Sequence, residues 1–463
     1  MVFKAAQVAA NKTAALKASF TGLLPHTESK ITTDLESDSQ LEEDDNPEDL
    51  LSYAEDKIAE MKSESQYFED EDLSVMPKFE LNELSLGRLL GKGGFGTVSE
   101  IKSITCARIG TKGSVSNEED GDVEQKHQDK QFIADHCVRE GGDARYAIKA
   151  LSPEVKSDDD LYIQGVIDMA VETMFLAVID HPHIIKMRGF GSCGMTHPNY
   201  FIILDRLYDT LGTRITKWKR QTKKANGVMN KLKKKSSEEN SKIMEMKLKY
   251  AYDLMGAIQY LHQKGLIHRD CKPANIGFNV RNDIVLFDFG LAREMHDKDK
   301  VSEDTWLLTG TVGSPRYMAP ECAMNKPYGY SADIYSMGLI IWEMLTMDKP
   351  YEGFNLKALH DRVYASGYRP HLEECWSKSL SSFISACWDH DPSKRPSASR
   401  ASNILKREAT KISRGGATDL NNFRRKSTFV NRDSLKERRS MNRAAAYNAT
   451  LLSDLLAVSE DSE

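Results

Sequence analysis

Apolar and polar residues alternate in Leu84-Ser-Leu-Gly-Arg-Leu-Leu90, the period-two pattern of a half-buried strand. Gly91-Lys-Gly-Gly-Phe-Gly96 interrupts the pattern, and the β-rich residues 97–104 resume it, which predicts strand, glycine turn, strand. Arg145-Tyr-Ala-Ile-Lys-Ala-Leu151 predicts a third short strand. The polar residues 107–142 lie between these strands and are expected to form a surface loop, because closing a longer loop costs little extra. Ile163, Val166, Ile167, Val171, Met174, Phe175 and Val178 recur at helical spacing and predict an amphipathic helix packed on the sheet. Past Phe201-Ile-Ile-Leu204 the character becomes mostly helical, with a helix over 249–263 stopped by Gly265 and a buried apolar helix over 331–346. A small antiparallel sheet with one main helix, followed by a larger helical part, is a two-lobed α+β plan.

Charge marks the segments outside this plan. The 463 residues carry a net charge of −6, yet residues 34–72 hold 17 acidic residues against two basic ones. Residues 214–235 hold ten basic residues and no acid, and 411–447 hold ten basic and three acidic. Like-charge blocks repel themselves and bury little, so all three are expected to be solvated or disordered. A sharper expectation is that the acidic arm docks on a basic block and brakes the folded part. Seven cysteines without CxxC spacing, and no secretory signal, favour free thiols in a reducing compartment. No uninterrupted apolar run reaches the roughly 18 to 20 residues of a membrane span. Residues 1–27 lack acids, but they also lack arginine, so organelle import is not the favoured reading. The expected location is the cytoplasm, with the nucleus as the second choice.

The glycine turn alone is weak evidence. Dinucleotide folds place GxGxxG between a strand and a helix, whereas here Gly91, Gly93 and Gly96 fall between two strands. The residue order also excludes a Walker A loop. What remains is a plain hairpin, or a hairpin whose backbone amides cover phosphates. Four further motifs follow in order: Tyr146-Ala-Ile-Lys149, Ile267-His-Arg-Asp-Cys-Lys-Pro-Ala-Asn275, Leu286-Phe-Asp-Phe-Gly290 and Met318-Ala-Pro-Glu321. Each is ambiguous alone. Their order and spacing together leave little room for coincidence.

At these residues the chain resembles the eukaryotic protein kinase family, over about 79–411. The resemblance implies a two-lobed kinase fold and transfer of the γ-phosphate of ATP, with Mg²⁺, to serine or threonine hydroxyls of protein substrates in intracellular signalling. It implies that Lys149 grips the α and β phosphates with Glu172 as its ion-pair partner, that Asp270 orients or deprotonates the acceptor hydroxyl, and that Lys272 neutralises the γ-phosphate. Asn275 and Asp288 would hold the metal. Gly91, Lys92, Gly93, Gly94, Phe95 and Gly96 would cap the phosphates. Val98, Ala147, Leu204 as gatekeeper, Asp205 and Leu207 would surround the adenine. Thr309 and Thr311 are the expected acceptors of an activating phosphate, Ser314 would contact Asp270 and Lys272, Arg395 would pair with Glu321, and Asp333 would brace the catalytic loop. The physics of the reaction supports this set: a polyphosphate needs cations, Mg²⁺ prefers oxygen ligands, and phosphoryl transfer needs positioning more than covalent help.

Lys272, two residues after Asp270, is similar to serine/threonine kinases, and Thr311-Val-Gly-Ser-Pro-Arg-Tyr-Met-Ala-Pro-Glu321 resembles the tyrosine-kinase-like group of them. Gly277 departs from the family by leaving a thin floor under the adenine, and Ala274 removes an acid that favours basic substrates. The expected domains are a disordered acidic arm (1–78), a kinase domain (79–411) and a basic, mostly disordered tail (412–463). Within the domain, the N-lobe runs over 79–206 with an insertion at 107–142, and the C-lobe over 207–411 with a basic insertion at 216–243. Protein substrates and an upstream kinase are the expected partners; nucleic acid is not, because the basic block has little aromatic interleaving. The alternative function is a pseudokinase scaffold that binds partners without catalysis.

Overall fold

The computed structural model describes residues 47–68, 73–106, 118–225 and 235–414. It opens with a helix, α1 (Pro47–Glu64). Four strands follow around an inserted helix: β1 (Lys78–Phe79), β2 (Leu84–Lys92), β3 (Gly96–Ile104), α2 (Glu118–Asp135) and β4 (Tyr146–Leu151). Then come α3 (Asp159–Val178), β5 (Met187–Gly191) and β6 (Phe201–Asp205). The strands form one sheet in the order β1-β5-β6-β4-β3-β2, antiparallel except for the β1–β5 edge. Gly96 is required where β3 meets β4, since a Cβ there would stand 2.7 Å from the Ala150 carbonyl oxygen. α3 starts at an Asp158 cap, whose side chain accepts from the Leu161 N–H at 3.0 Å, and acids in its first turn suit the positive end of the helix.

The second lobe begins with β7 (Asp209–Thr210), α4 (Leu211–Ala225) and α5 (Lys235–Gln263). Short strands follow: β8 (Leu266–Ile267), β9 (Ile276–Phe278), β10 (Ile284–Leu286), β11 (Arg293–Glu294), β12 (Lys300–Ser302) and β13 (Thr305–Trp306). They pair as β10-β9-β7, β11-β8 and β12-β13. α6 (Ser331–Thr346) is buried through its middle, α7 (Lys378–Cys387) packs on it, and α8 (Ala398–Arg414) closes the lobe. One apolar core runs from α3 through α5 and α6.

Three segments differ from the expectation of solvated chain. Residues 47–68 of the acidic arm are folded: α1 lies along α3, burying Ala54 and Ile58. Its apolar side chains, with Leu51 and Met61, recur about every helical turn, and Glu55, Asp56 and Glu60 are exposed between them. The insertion at 107–142 carries α2, which with Cys137 just past its end places Ile133 and Ala134 in a second core with Phe79, Ile101, Ile104 and Ile148. The basic insertion at 216–243 is largely a lengthening of α4 and α5. Trp218 is buried and stacks on Tyr250 at 6.3 Å, with the Lys247 ammonium 5.4 Å from its ring. Residues 73–78 of the arm are folded too, with Met76 buried and Lys78 in β1; residues 1–46 and 69–72 and the tail from 415, with its expected disorder, lie outside the described residues.

The predicted helix over 163–178 is more apolar than a one-sided helix needs to be. Among the described residues, α3 is the one helix long and apolar enough to cross a membrane. It is mostly buried, with the sheet on one side and α1 on another, so its composition reflects two-sided packing.

Candidate active site

The cleft between the lobes gathers the motif residues from separate elements. Lys149 on β4 forms an ion pair with Glu172 on α3 and donates to Asp288 Oδ1 at 3.1 Å. Glu172 is buried at the cleft face of α3. Burial works against the charge on Lys149, but the Asp288 and Glu172 carboxylates outweigh it and hold the ammonium above its usual range. The sheet thus presents a permanent cation to the cleft, linked to both the helix and the second lobe.

Asp270 sits on the segment between β8 and β9. Its Oδ2 accepts from Lys272 Nζ at 2.8 Å and from Asn275 Nδ2 at 2.9 Å. Its Oδ1 is buried and takes no hydrogen bond within the described chain. A buried carboxylate oxygen without a partner calls for an explanation, and a substrate hydroxyl is one donor that would satisfy it. The loop is held from behind by buried Asp333, which accepts from the backbone N–H groups of His268 (2.9 Å) and Arg269 (3.0 Å) and contacts His262 Nε2 at 3.0 Å. Burial raises the Asp333 pKa, but the bond and charge of His262 with the neighbouring N–H groups outweigh it, so the carboxyl is held below its ordinary value. Arg269 and Asp288 both have left-handed backbones, φ 67° and 68°, strain of the kind that collects at working sites.

Asn275 and Asp288 fit a hard cation. The Asn275 amide nitrogen is committed to the Asp270 backbone oxygen and carboxylate, which leaves its Oδ1 as the atom available to a metal. Asp288 supplies carboxylate oxygen across the cleft. No group of three His, Cys, Asp or Glu is placed to hold a metal ion by itself among the described residues. A metal held here would therefore draw its remaining oxygens from phosphate and water, as Mg²⁺ does. His181 and His183 are structural: His181 accepts from the His183 N–H at 3.2 Å, and burial with the neighbouring His183 lowers the His181 pKa to about 4.

At the roof, the Gly93 N–H closes on Gly96 O at 2.7 Å, and Gly91 has open space where a side chain would stand. Lys92 pairs with Glu154 (2.7 Å) and Phe95 is buried against Gly165 of α3, so the backbone of this glycine turn, not its side chains, is what could meet phosphates. Val98 lies opposite Lys149, and Ala147 opposite Leu204, in the sheet register. The ladder ends at Tyr146–Asp205, and the Arg206 N–H closes on Arg145 O, so Leu207 is the first residue past the sheet. The Asp205 side chain is taken by Arg188 (2.6 and 2.8 Å), so Asp205 can serve the cleft only through its backbone. Gly277 does not leave a void: a Cβ there would stand 2.7 Å from Leu207 Cδ1. Leu207 fills the floor that Gly277 lacks, a compensation that residue spacing does not reveal.

Below the cleft, Ser314 accepts from Lys272 Nζ at 2.9 Å. Its expected direct contact with Asp270 is not made, because Lys272 stands between them. Gly313 (φ 97°) lets this segment approach the Asp270 loop, since a Cβ would meet Arg269 O at 2.6 Å. Thr311 is pinned: its hydroxyl donates to Asn325 Oδ1 and its N–H to Cys322 O, both at 2.9 Å, with φ 57°. Thr309 is exposed, with only its carbonyl engaged, by the Tyr328 hydroxyl at 2.7 Å. Arg395 and Glu321 form a buried two-pronged pair at 2.6 and 2.8 Å.

The sequence profile of the protein kinase domain matches residues 133–406. A probable serine/threonine-protein kinase of Dictyostelium discoideum is 30% identical over 257 residues, 54% of this chain and 24% of its own length. The serine/threonine-protein kinase STY46 of Arabidopsis thaliana is 29% identical over 276 residues, 58% of this chain and 41% of its own. The dual specificity protein kinase shkB of Dictyostelium discoideum is 35% identical over 151 residues, 32% of this chain and 22% of its own. The chain thus spans well under half the length of these curated relatives. With the profile covering more than half of its residues and the cleft assembled as described, the chain belongs to the protein kinase family.

Proposed function

We propose that this chain is an active serine/threonine protein kinase, transferring the γ-phosphate of ATP to serine or threonine hydroxyls of protein substrates. The observation that carries the reading is the unpartnered, buried Asp270 Oδ1 beside an assembled Lys149–Glu172–Asp288 set. In the reaction the acceptor hydroxyl oxygen bonds to the γ-phosphorus while the bond to the β–γ bridging oxygen breaks, and ADP departs. Asp270 orients the hydroxyl through Oδ1 and receives its proton, while Lys272, held by Asp270 and Ser314, faces the transferred phosphoryl. Lys149 holds the α and β phosphates. Asn275 and Asp288 are the residues that would hold Mg²⁺, which would supply positive charge to the phosphate oxygens. Thr309 is the activation-segment acceptor this geometry favours. Thr311 is committed to Asn325, whereas Thr309 lies next to the Arg269–Tyr328 contact (3.4 Å), where an added dianion would find a cation.

The test is the purified full chain with Mg²⁺ and ATP on a serine/threonine peptide library, beside Lys149→Met and Asp270→Asn. Transfer confined to the wild type supports the kinase. Equal residual transfer in all three, with nucleotide and partner binding retained, supports the pseudokinase scaffold.

A further inference from the structure

α3 carries Glu172 and is packed on more than one side. The sheet covers one side, and α1 covers another with Leu51, Ala54, Ile58 and Met61. The chain does not leave the surface when α1 ends. Ser65 Oγ donates to Glu294 Oε2 at 2.7 Å, and the Gln66 N–H donates to Glu294 Oε1 at 2.9 Å, so both oxygens of this buried carboxylate are engaged. Ser65 Oγ also accepts from the Tyr67 and Phe68 N–H groups, at 3.1 and 3.3 Å, which folds the segment into a tight turn. The turn directs the Phe68 ring onto Phe175 of α3, with centroids 5.6 Å apart. Glu64 pairs with Lys298, and Tyr67 lies 5.1 Å from the Lys264 ammonium at the end of α5.

These contacts join two parts of the catalytic set. Phe175 is less than one turn from Glu172 on α3. Glu294 is on β11, six residues after Asp288, and β11 pairs with β8, which leads into the Asp270 loop. We propose that residues 47–68 are a positioning element that ties α3 to the start of the activation segment and so keeps Glu172 on Lys149. Ser65, Phe68 and Glu294 are its key positioning residues. The proposal rests on the kinase reading above. It reverses the brake expected from charge alone: the folded part of the acidic arm supports the assembled cleft, and releasing it lowers activity.

The test uses the full chain. Ser65→Asp sets a second carboxylate against Glu294, and Phe68→Ala removes the contact with Phe175. Each is expected to lower kcat about tenfold with the peptide KM little changed, since a shift of α3 away from Lys149 removes a transition-state interaction. Each should also speed hydrogen exchange in residues 163–178. Adding Glu294→Gln to Ser65→Asp gives the new carboxylate a donor and should restore most of the lost rate, a recovery that general destabilisation would not show. Wild-type kcat and wild-type exchange in α3 for both single variants would overturn the proposal. So would a rise in activity, or a loss that tracks the melting temperature and is not recovered by Glu294→Gln. If the wild type transfers no phosphate, the kinase reading fails separately, and exchange in α3 still decides whether the tie exists.

Discussion

Replacing Glu321 by alanine should cost the kinase domain more stability than almost any other single charge removal. The Arg395 side chain is fully buried, and its two terminal nitrogens meet the two Glu321 oxygens at 2.6 and 2.8 Å. Two backbone oxygens, Ser331 O at 3.0 Å and Asp389 O at 2.9 Å, also accept from it but carry no countercharge. Removing one partner of a buried pair strands the other, at a cost of about 3–5 kcal/mol. With an unfolding entropy of about 2.1 cal/mol/K per residue, a domain of about 330 residues gives about 0.7 kcal/mol/K, so the melting temperature should fall by about 4–7 °C. Differential scanning fluorimetry on the full chain measures this. Lys357→Ala, which breaks an exposed pair with Asp361, is the control and should leave the melting temperature unchanged. Replacing the pair together, Glu321→Leu with Arg395→Met, should recover much of the loss, because no buried charge is left uncompensated. If Glu321→Ala melts within 1 °C of the wild type, taken as about the resolution of the method, the desolvation reasoning is wrong. If the double replacement is worse than the single, the pair is stabilising in its own right.

Asp270→Asn should reduce phosphate transfer by about 100- to 10,000-fold while nucleotide affinity stays near wild type, checked by single-turnover kinetics beside a nucleotide titration. Burial raises the Glu343 pKa to about 7, despite the Tyr317 hydroxyl bond and the charges of Lys349 and Arg316. Because its folded value lies above its unfolded value, the wild type should lose stability between about pH 4.5 and 7 and then level off; Glu343→Gln should remove that loss, read as melting temperature against pH, and parallel curves would refute it. Gly277→Leu should overpack against Leu207, by about 1–3 kcal/mol, and raise the KM for ATP; adding Leu207→Ala should bring the KM back, and an unchanged KM in the single variant would show that Leu207 does not fill the floor.

The residues that line the candidate site could be read from the chain because the proposed chemistry restricts both their types and their order: Lys149, Asp270, Asn275 and Asp288 have few substitutes if a polyphosphate and a hard cation are to be held. The plan of sheet, helix and helical lobe was equally open to reading, since its periodicities are local. α1 was not. Leu51, Ala54, Ile58 and Met61 carry a helical stripe, but the surrounding acids dominate any reading by charge. A second signal was present in α3, whose all-round apolarity calls for cover on more than one side. The apolar patch of α2 is only a few residues wide, too short to register as a period. The filling of Gly277 by Leu207 joins residues seventy positions apart, and no local pattern encodes it.

The cover that α1 lays on α3 also separates the unit of homology from the unit of solubility. The family match begins at residue 133, and the motif-based boundary at 79, yet the apolar surface shared by the two helices is closed only from residue 47. A chain begun at 79 would hold every residue of the candidate site and still present the outer face of α3 to water. A continuous apolar stripe of that kind invites self-association or adsorption to lipid. Proteolytic clipping between α1 and β1 would have the same effect if the released helix diffused away. Precipitation would then accompany the loss of turnover expected when the arm is released.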